Sequence, residues 1–174
     1  MNLEAKVTAR RLRPIHLLLG LLCAVLVAFW VYAIFFYSPD KQNVIGDKDW
    51  AEWAESECSV TEQARNQLAD FTRIEDDLES LRKRAGLVEQ ATDDLESMID
   101  TLDSRKPSDA KGAAIVPDWI ADYRTYIGDR RDYIEELRSG KNVVFAETAV
   151  EGVPISERLT TFADDNLMLS LIHI

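Results

Sequence analysis

Hydrophobic and polar positions divide the chain into one unbroken apolar block and a longer stretch of periodic patterning. Residues 15–37 contain no Asp, Glu, Lys or Arg, and as a helix they would rise roughly 35 Å, enough for a bilayer core of about 30 Å. One transmembrane helix is predicted. Residues 38–46 read as a linker. Ser38-Pro39 opens it, because proline cannot extend the helical ladder and restricts the residue before it.

Periodicity then turns helical. Trp50, Trp53, Ala54, Cys58, Val60, Ala64, Leu68 and Phe71 recur at the spacing of one helical face. A second helix is predicted from Leu78, Leu81, Ala85, Val88, Leu95, Ile99 and Leu102, which fill a and d positions of successive heptads with Thr92 the one polar member. Arg105-Lys106-Pro107 closes it with basic groups and a proline. Residues 108–116 are expected to form a loop, and Pro117 suits the first turn of a third helix. That helix has an inward stripe of Trp119, Ile120, Tyr123, Tyr126, Ile127, Tyr133, Ile134 and Leu137, and Arg138-Ser139-Gly140 ends it. Residues 143–149 are β-branched and aromatic; with Glu151-Gly152 as turn and Val153-Pro154-Ile155 as return they predict a small hairpin. Residues 156–166 predict a short helix that seals one end of the bundle through Leu159, Phe162 and Ala163.

The expected fold is mainly α: an N-terminal transmembrane helix, then an up-down-up three-helix bundle with a small C-terminal β-hairpin and short helix. Residues 1–14 form a basic cytoplasmic N-terminus and residues 47–168 one extracytoplasmic helical domain.

Charge supplies the orientation. Lys6, Arg10, Arg11 and Arg13 precede the span against Glu4 alone, whereas Asp40, Lys41, Asp47, Lys48 and Asp49 after it carry no basic excess. The expected location is the plasma membrane with the N-terminus inside. Trp30, Tyr32, Phe35, Phe36 and Tyr37 crowd the far end, where amphipathic rings favour the headgroup layer. A cleaved signal peptide is the alternative. Its apolar core usually runs about 7 to 15 residues to a small-residue cleavage site, whereas this run is longer and exits through bulky side chains, so retention is expected. Cys23 sits mid-span as a small apolar side chain.

The remainder is strongly acidic. Setting aside Lys6, Arg10, Arg11, Arg13 and Glu4 from 20 basic and 31 acidic residues leaves 16 against 30, a net charge of about −14. Such a surface disfavours nucleic acid and docking onto anionic lipid.

Catalytic signatures are absent. His16 and His173 are the two histidines, and there is no Gly-x-Gly-x-x-Gly, Walker loop, Gly-x-Ser-x-Gly or Cys-x-x-Cys. Asp76-Asp77, Asp93-Asp94 and Asp164-Asp165 are acidic pairs, but adjacent carboxylates on a helix diverge by about 100° and none lies in a calcium loop, so they read as solvated faces. No catalytic, cofactor-binding or metal-ligating residue is expected, and no cofactor.

One local concentration carries two readings. Trp119, Tyr123, Tyr126, Arg130 and Tyr133 combine the residue types enriched at binding hot spots, and Gly128 would let a partner approach closely. The same tyrosines share the Ile127 and Leu137 stripe, which makes them core rings with hydroxyls at the rim and leaves Arg131 and Glu135 as an i,i+4 pair. Trp50 and Trp53 divide similarly between core and outer headgroups. Cys58, in an oxidising compartment, is either free and buried, joined to another chain, or deprived of a partner this chain has lost.

The segments Trp53-Ala-Glu-Ser-Glu-Cys58, Ala91-Thr-Asp-Asp-Leu95-Glu-Ser-Met98, Asp118-Trp119-Ile-Ala-Asp122-Tyr123-Arg124-Thr-Tyr126, Asp129-Arg130-Arg131-Asp132-Tyr133 and Phe162-Ala-Asp-Asp-Asn166 resemble a group of uncharacterised actinobacterial single-pass membrane-anchored proteins. The resemblance implies a small extracytoplasmic helical domain and no activity. Similar sequences continue after the Asn-x-Met corresponding to Asn166-Leu167-Met168 into Pro-Ser-Cys, so it also implies that the partner of Cys58 is lost by truncation. Residues 169–174 instead resemble adapter read-through on a truncated metagenomic fragment, and are set aside as an artefactual tail.

The expected role is therefore non-enzymatic binding of a protein or envelope component by a membrane-anchored domain. A small-ligand or lipid-binding bundle is the second reading, a carboxylate-based enzyme a distant third, and self-association through the heptads stays open.

Overall fold

The computed structural model describes residues 14–36, 41–68 and 77–171. Tyr37, Ser38-Pro39 and Asp40, the charged residues before the span, Phe71, Asp76 and His173 lie outside the described residues. The chain divides into two units, Met1–Asp40 and Lys41–Ile174. In the first, α1 (Pro14–Phe35) buries none of its residues and is long and apolar enough to cross a membrane.

The second unit is mainly helical with one small sheet. It comprises α2 (Lys48–Leu68), α3 (Leu78–Asp103), α4 (Ala110–Arg138), β1 (Ala149–Val150), β2 (Val153–Pro154), α5 (Ile155–Asp165) and a 3-10 turn (Leu169–Leu171). Helix α2 packs on α3, α3 on α4, and α5 on α4. Arg124 meets Asp100 and Asp103 at 3.0 Å each, Arg131 meets Asp93 and Glu96 at 2.6 Å each, and Arg138 meets Glu89. Partners descend along α3 as the arginines ascend α4 in steps of one heptad, so the two helices run antiparallel. Arg131 thus reaches across to α3, not along its own helix to Glu135.

Burial follows the heptads. Leu81, Ala85, Thr92, Leu95, Ile99 and Leu102 are buried, and only Leu78, at the helix start, is exposed. Thr92 is satisfied from both sides: its hydroxyl donates to the Val88 carbonyl at 2.6 Å and accepts from Arg130 Nε at 2.9 Å. This polar layer separates a small cluster of Leu81, Ala85, Ile134 and Leu137 from the main core. On α2 the inward residues are Trp50, Ala51, Ala54 and Cys58. Val60, expected on that face, is exposed, because two residues past Cys58 is about 200° further round the helix.

Two predicted boundaries move. Residues 110–116, expected as loop, belong to α4, and Pro117 lies inside the helix. Asp109 caps the earlier start by accepting from Gly112 N at 2.8 Å, and the added turns bury Gly112 and Val116, which offsets the hydrogen bond proline removes. The hairpin is shorter than expected. Its strands pair antiparallel as Ala149 with Pro154 and Val150 with Val153, around Glu151 and Gly152, both at positive φ as a tight two-residue turn requires. Residues 143–148 make no ladder. Side chains hold them instead: Phe145 packs edge-on to Tyr126 and Tyr133, and Thr148 donates from N and Oγ1 to Asp129 at 2.7 and 2.9 Å.

The turn Leu169–Leu171, set aside on sequence grounds, contacts α2. Leu171 is buried in the main core, and Ser170 donates from Oγ to Glu55 Oε1 at 2.7 Å.

Candidate functional site

A groove of about 390 Å³ opens between α4 and α5. Helical spacing builds each wall. Ile115, Asp118, Trp119 and Asp122 lie at successive three- and four-residue steps of α4, and Glu157, Arg158, Thr161 and Phe162 do the same on α5. Val153 of the hairpin and Asn43 complete the lining. Trp119 and Phe162, stacked at 4.6 Å, are buried beneath, so the floor is rigid and apolar.

Asn43 is held in place by the end of α5. Its backbone and side-chain nitrogens donate to Asp165 Oδ2 at 3.0 and 3.1 Å, and Asn166 Nδ2 donates to its carbonyl at 3.0 Å. Lys41 Nζ donates to the Asp164 carbonyl at 3.0 Å, and Ile45 N to Asn166 Oδ1 at 2.9 Å. The acidic pair Asp164-Asp165 therefore ties the segment entering the unit to α5.

Within the groove, Arg158 is committed. Its Nε donates to Asp122 Oδ2 at 2.9 Å and its terminal nitrogen lies 2.8 Å from the same oxygen. The carboxylates of Asp118 and Glu157 have no hydrogen-bond or ion-pair partner among the described residues and are exposed. Three carboxylates facing one guanidinium leave the groove negative. No group of three His, Cys, Asp or Glu side chains among the described residues is placed to hold a metal ion. A second, smaller groove of about 240 Å³ lies between α2 and α3 and includes Glu57, Val60, Asp94 and Met98.

The aromatic concentration on α4 does not present one exposed face. Trp119, Tyr123 and Tyr126 are buried, and Arg130 and Tyr133 are half-buried. Their 3.6-residue spacing turns them toward α3, α5 and the segment holding Phe145, where Trp119 also meets Tyr123 edge-on at 5.0 Å. Nothing lies within 4 Å of a Cβ placed on Gly128, so no neighbouring element packs closely there. Tyr123 differs from the expectation of a rim hydroxyl: it is fully buried, and its hydroxyl has no hydrogen-bond partner among the described residues. Burial, then the neighbouring Cys58, hold that phenol well above its ordinary pKa. Trp50 is core, donating from Nε1 to the Arg105 carbonyl at 2.6 Å, while Trp53 is half-buried under the Arg105 guanidinium at 5.0 Å.

Cys58 is a free, buried thiol and Cys23 a free, exposed one. Burial first, then the charges of Glu55 and Glu57, push the Cys58 thiol far above its ordinary pKa, which suppresses the reactive thiolate.

Asp118 with Asp122 and Glu157 with Thr161 each carry an i,i+4 signal in the sequence. What brings the two pairs together is the α4–α5 packing, and periodicity within one helix does not reveal that. No protein family, no curated protein and no solved structure matches this chain.

Proposed function

We propose that the chain is a single-pass membrane protein whose acidic helical unit stands outside the cytoplasm as an up-down-up three-helix bundle. We propose further that this unit is a non-enzymatic binding module for a protein or envelope component. The observation that carries the reading is the α4–α5 groove, where an apolar floor on an aromatic stack is bordered by the Asp118 and Glu157 carboxylates, unpartnered among the described residues, the arrangement of a recognition site. The apolar α1 and the basic residues before it support anchorage and orientation.

A small ligand or lipid held between the helices is the weaker reading. It needs room where the rings pack, and Trp119 is already bounded by Phe162, Tyr123 and Trp50 at 4.6, 5.0 and 6.5 Å.

Site-directed photocrosslinking in intact cells tests the module. A photoreactive residue at Thr161, inside the groove, should yield one adduct of defined mass, lost when Val153→Arg fills the groove. The same residue at Asp132, outside the groove, should yield none. Equal adducts from both positions, or none from Thr161, would contradict the reading.

A further inference from the structure

Resting on that reading of the groove, we infer that its occupant is a basic segment of a protein partner, in which two cationic side chains flank an aliphatic one. Asp118 on α4 and Glu157 on α5 place one exposed carboxylate on each wall, each unpartnered among the described residues. The sole cation of the lining, Arg158, is spent on Asp122, so it offers nothing to an anionic ligand. Between the walls lie Ile115 and Val153 above the buried Trp119 and Phe162. Such a floor takes a methylene stem or a branched aliphatic side chain, while the charged heads stay at the wet rim. Charge complementarity thus selects the partner, and the acidic surface of the unit, with 30 carboxylates against 16 basic groups beyond the anchor, steers it in. An anionic lipid surface carries the same sign of charge as the unit and is repelled.

The full chain in nanodiscs of zwitterionic phosphatidylcholine provides the test. Two blocked peptides, Lys-Ala-Leu-Ala-Lys and Glu-Ala-Leu-Ala-Glu, are titrated against it while the indole resonance of Trp119 is followed, a reporter lying under the groove. The basic peptide should shift that resonance saturably, with affinity falling as salt rises, and the acidic peptide should not. Asp118→Asn with Glu157→Gln should weaken binding about three- to tenfold, the scale of two exposed charge contacts. Asp132→Asn with Glu135→Gln, an equal charge change on exposed residues of α4 outside the groove, should leave it within about twofold. Equal weakening by both pairs, comparable binding of the acidic peptide, or an unmoved Trp119 resonance would overturn the assignment. Should the peptide fail while Thr161 still crosslinks a defined partner, the groove remains a binding site and only the basic class of occupant falls. Failure of both removes the binding reading as well.

Discussion

Asp47 and Asp109 cap two different helices and are hydrogen-bonded to each other. Asp47 Oδ1 accepts from Trp50 N at 2.9 Å and Asp109 Oδ2 from Gly112 N at 2.8 Å, while Asp47 N donates to Asp109 Oδ1 at 2.9 Å. Asp47 Oδ2 takes Ser108 N and Oγ at 2.8 and 2.7 Å, so the starts of α2 and α4 form one hydrogen-bonded joint. Those bonds, from the Ser108 side chain first and then from backbone N–H groups, hold the Asp47 carboxyl at about 2, below the ordinary 3.8. A depressed value means stability that is present above the unfolded pKa and lost as pH falls through the folded one. The thermal midpoint of Asp47→Ala should therefore lie several degrees below that of the parent at neutral pH, and the gap should close as pH drops from about 4 toward 2. Melting both proteins across that range checks it; a gap independent of pH would contradict the joint.

Two glycines of the same helix should respond to alanine with opposite sign. A Cβ at Gly112 would stand 2.6 Å from Asp109 Oδ1 and 2.7 Å from Pro107 Cβ, whereas one at Gly128 meets nothing within 4 Å. Gly112→Ala should cost about 1–3 kcal/mol by forcing the cap apart. Gly128→Ala should stabilise by about 0.5–1 kcal/mol, since it removes backbone freedom from an exposed helical position. Denaturant titrations of both variants read the signs directly.

Trp119 separates the structural role of the α4 aromatics from a recognition role. It stacks on Phe162 of α5 and meets Tyr123 and Trp50 edge-on, and its Nε1 donates to the Leu159 carbonyl at 3.4 Å. Trp119→Ala should destabilise the unit by about 3–5 kcal/mol, with loss of near-ultraviolet dichroism. Unchanged stability would return Trp119 to the surface.

Leu171 and Cys58 belong to one buried cluster, and Ser170 is bonded to Glu55, one turn before Cys58 on α2. Leu171→Ala should accordingly destabilise the unit by about 2–5 kcal/mol, the cost of emptying a buried leucine site, read by a denaturant titration. Unchanged stability would show that the turn does not rest in the core. In the parent, Cys58 should stay inert to thiol reagents until the unit unfolds, because burial withholds its thiolate.

Within a single helix the sequence was informative. The heptads of α3 and the stripe from Trp119 to Leu137 mark buried positions, since 3.6-residue periodicity depends on one face meeting a core. Relations between segments were not legible. Asp109 reads as one more acidic residue of a polar stretch until its cross-bond to Asp47 N is seen, and that bond lets α4 begin ahead of Pro117. Phe145 carries strand propensity, yet rings from α4 hold its segment without a ladder. The groove depended on the same kind of information: Asp118 and Glu157 face one space only because Trp119 stacks on Phe162.

The most direct test of the account is the side of the membrane on which the helical unit stands. Val144 is 91% exposed, so Val144→Cys with Cys23→Ala places one accessible thiol on the unit, Cys58 remaining buried. Intact cells expressing the full chain are treated with a membrane-impermeant maleimide and then fractionated. Labelling is expected without lysis, of a protein of uncleaved mass that stays in the membrane pellet after carbonate washing. Labelling only after lysis, or a labelled product shortened and released from the membrane, would contradict it.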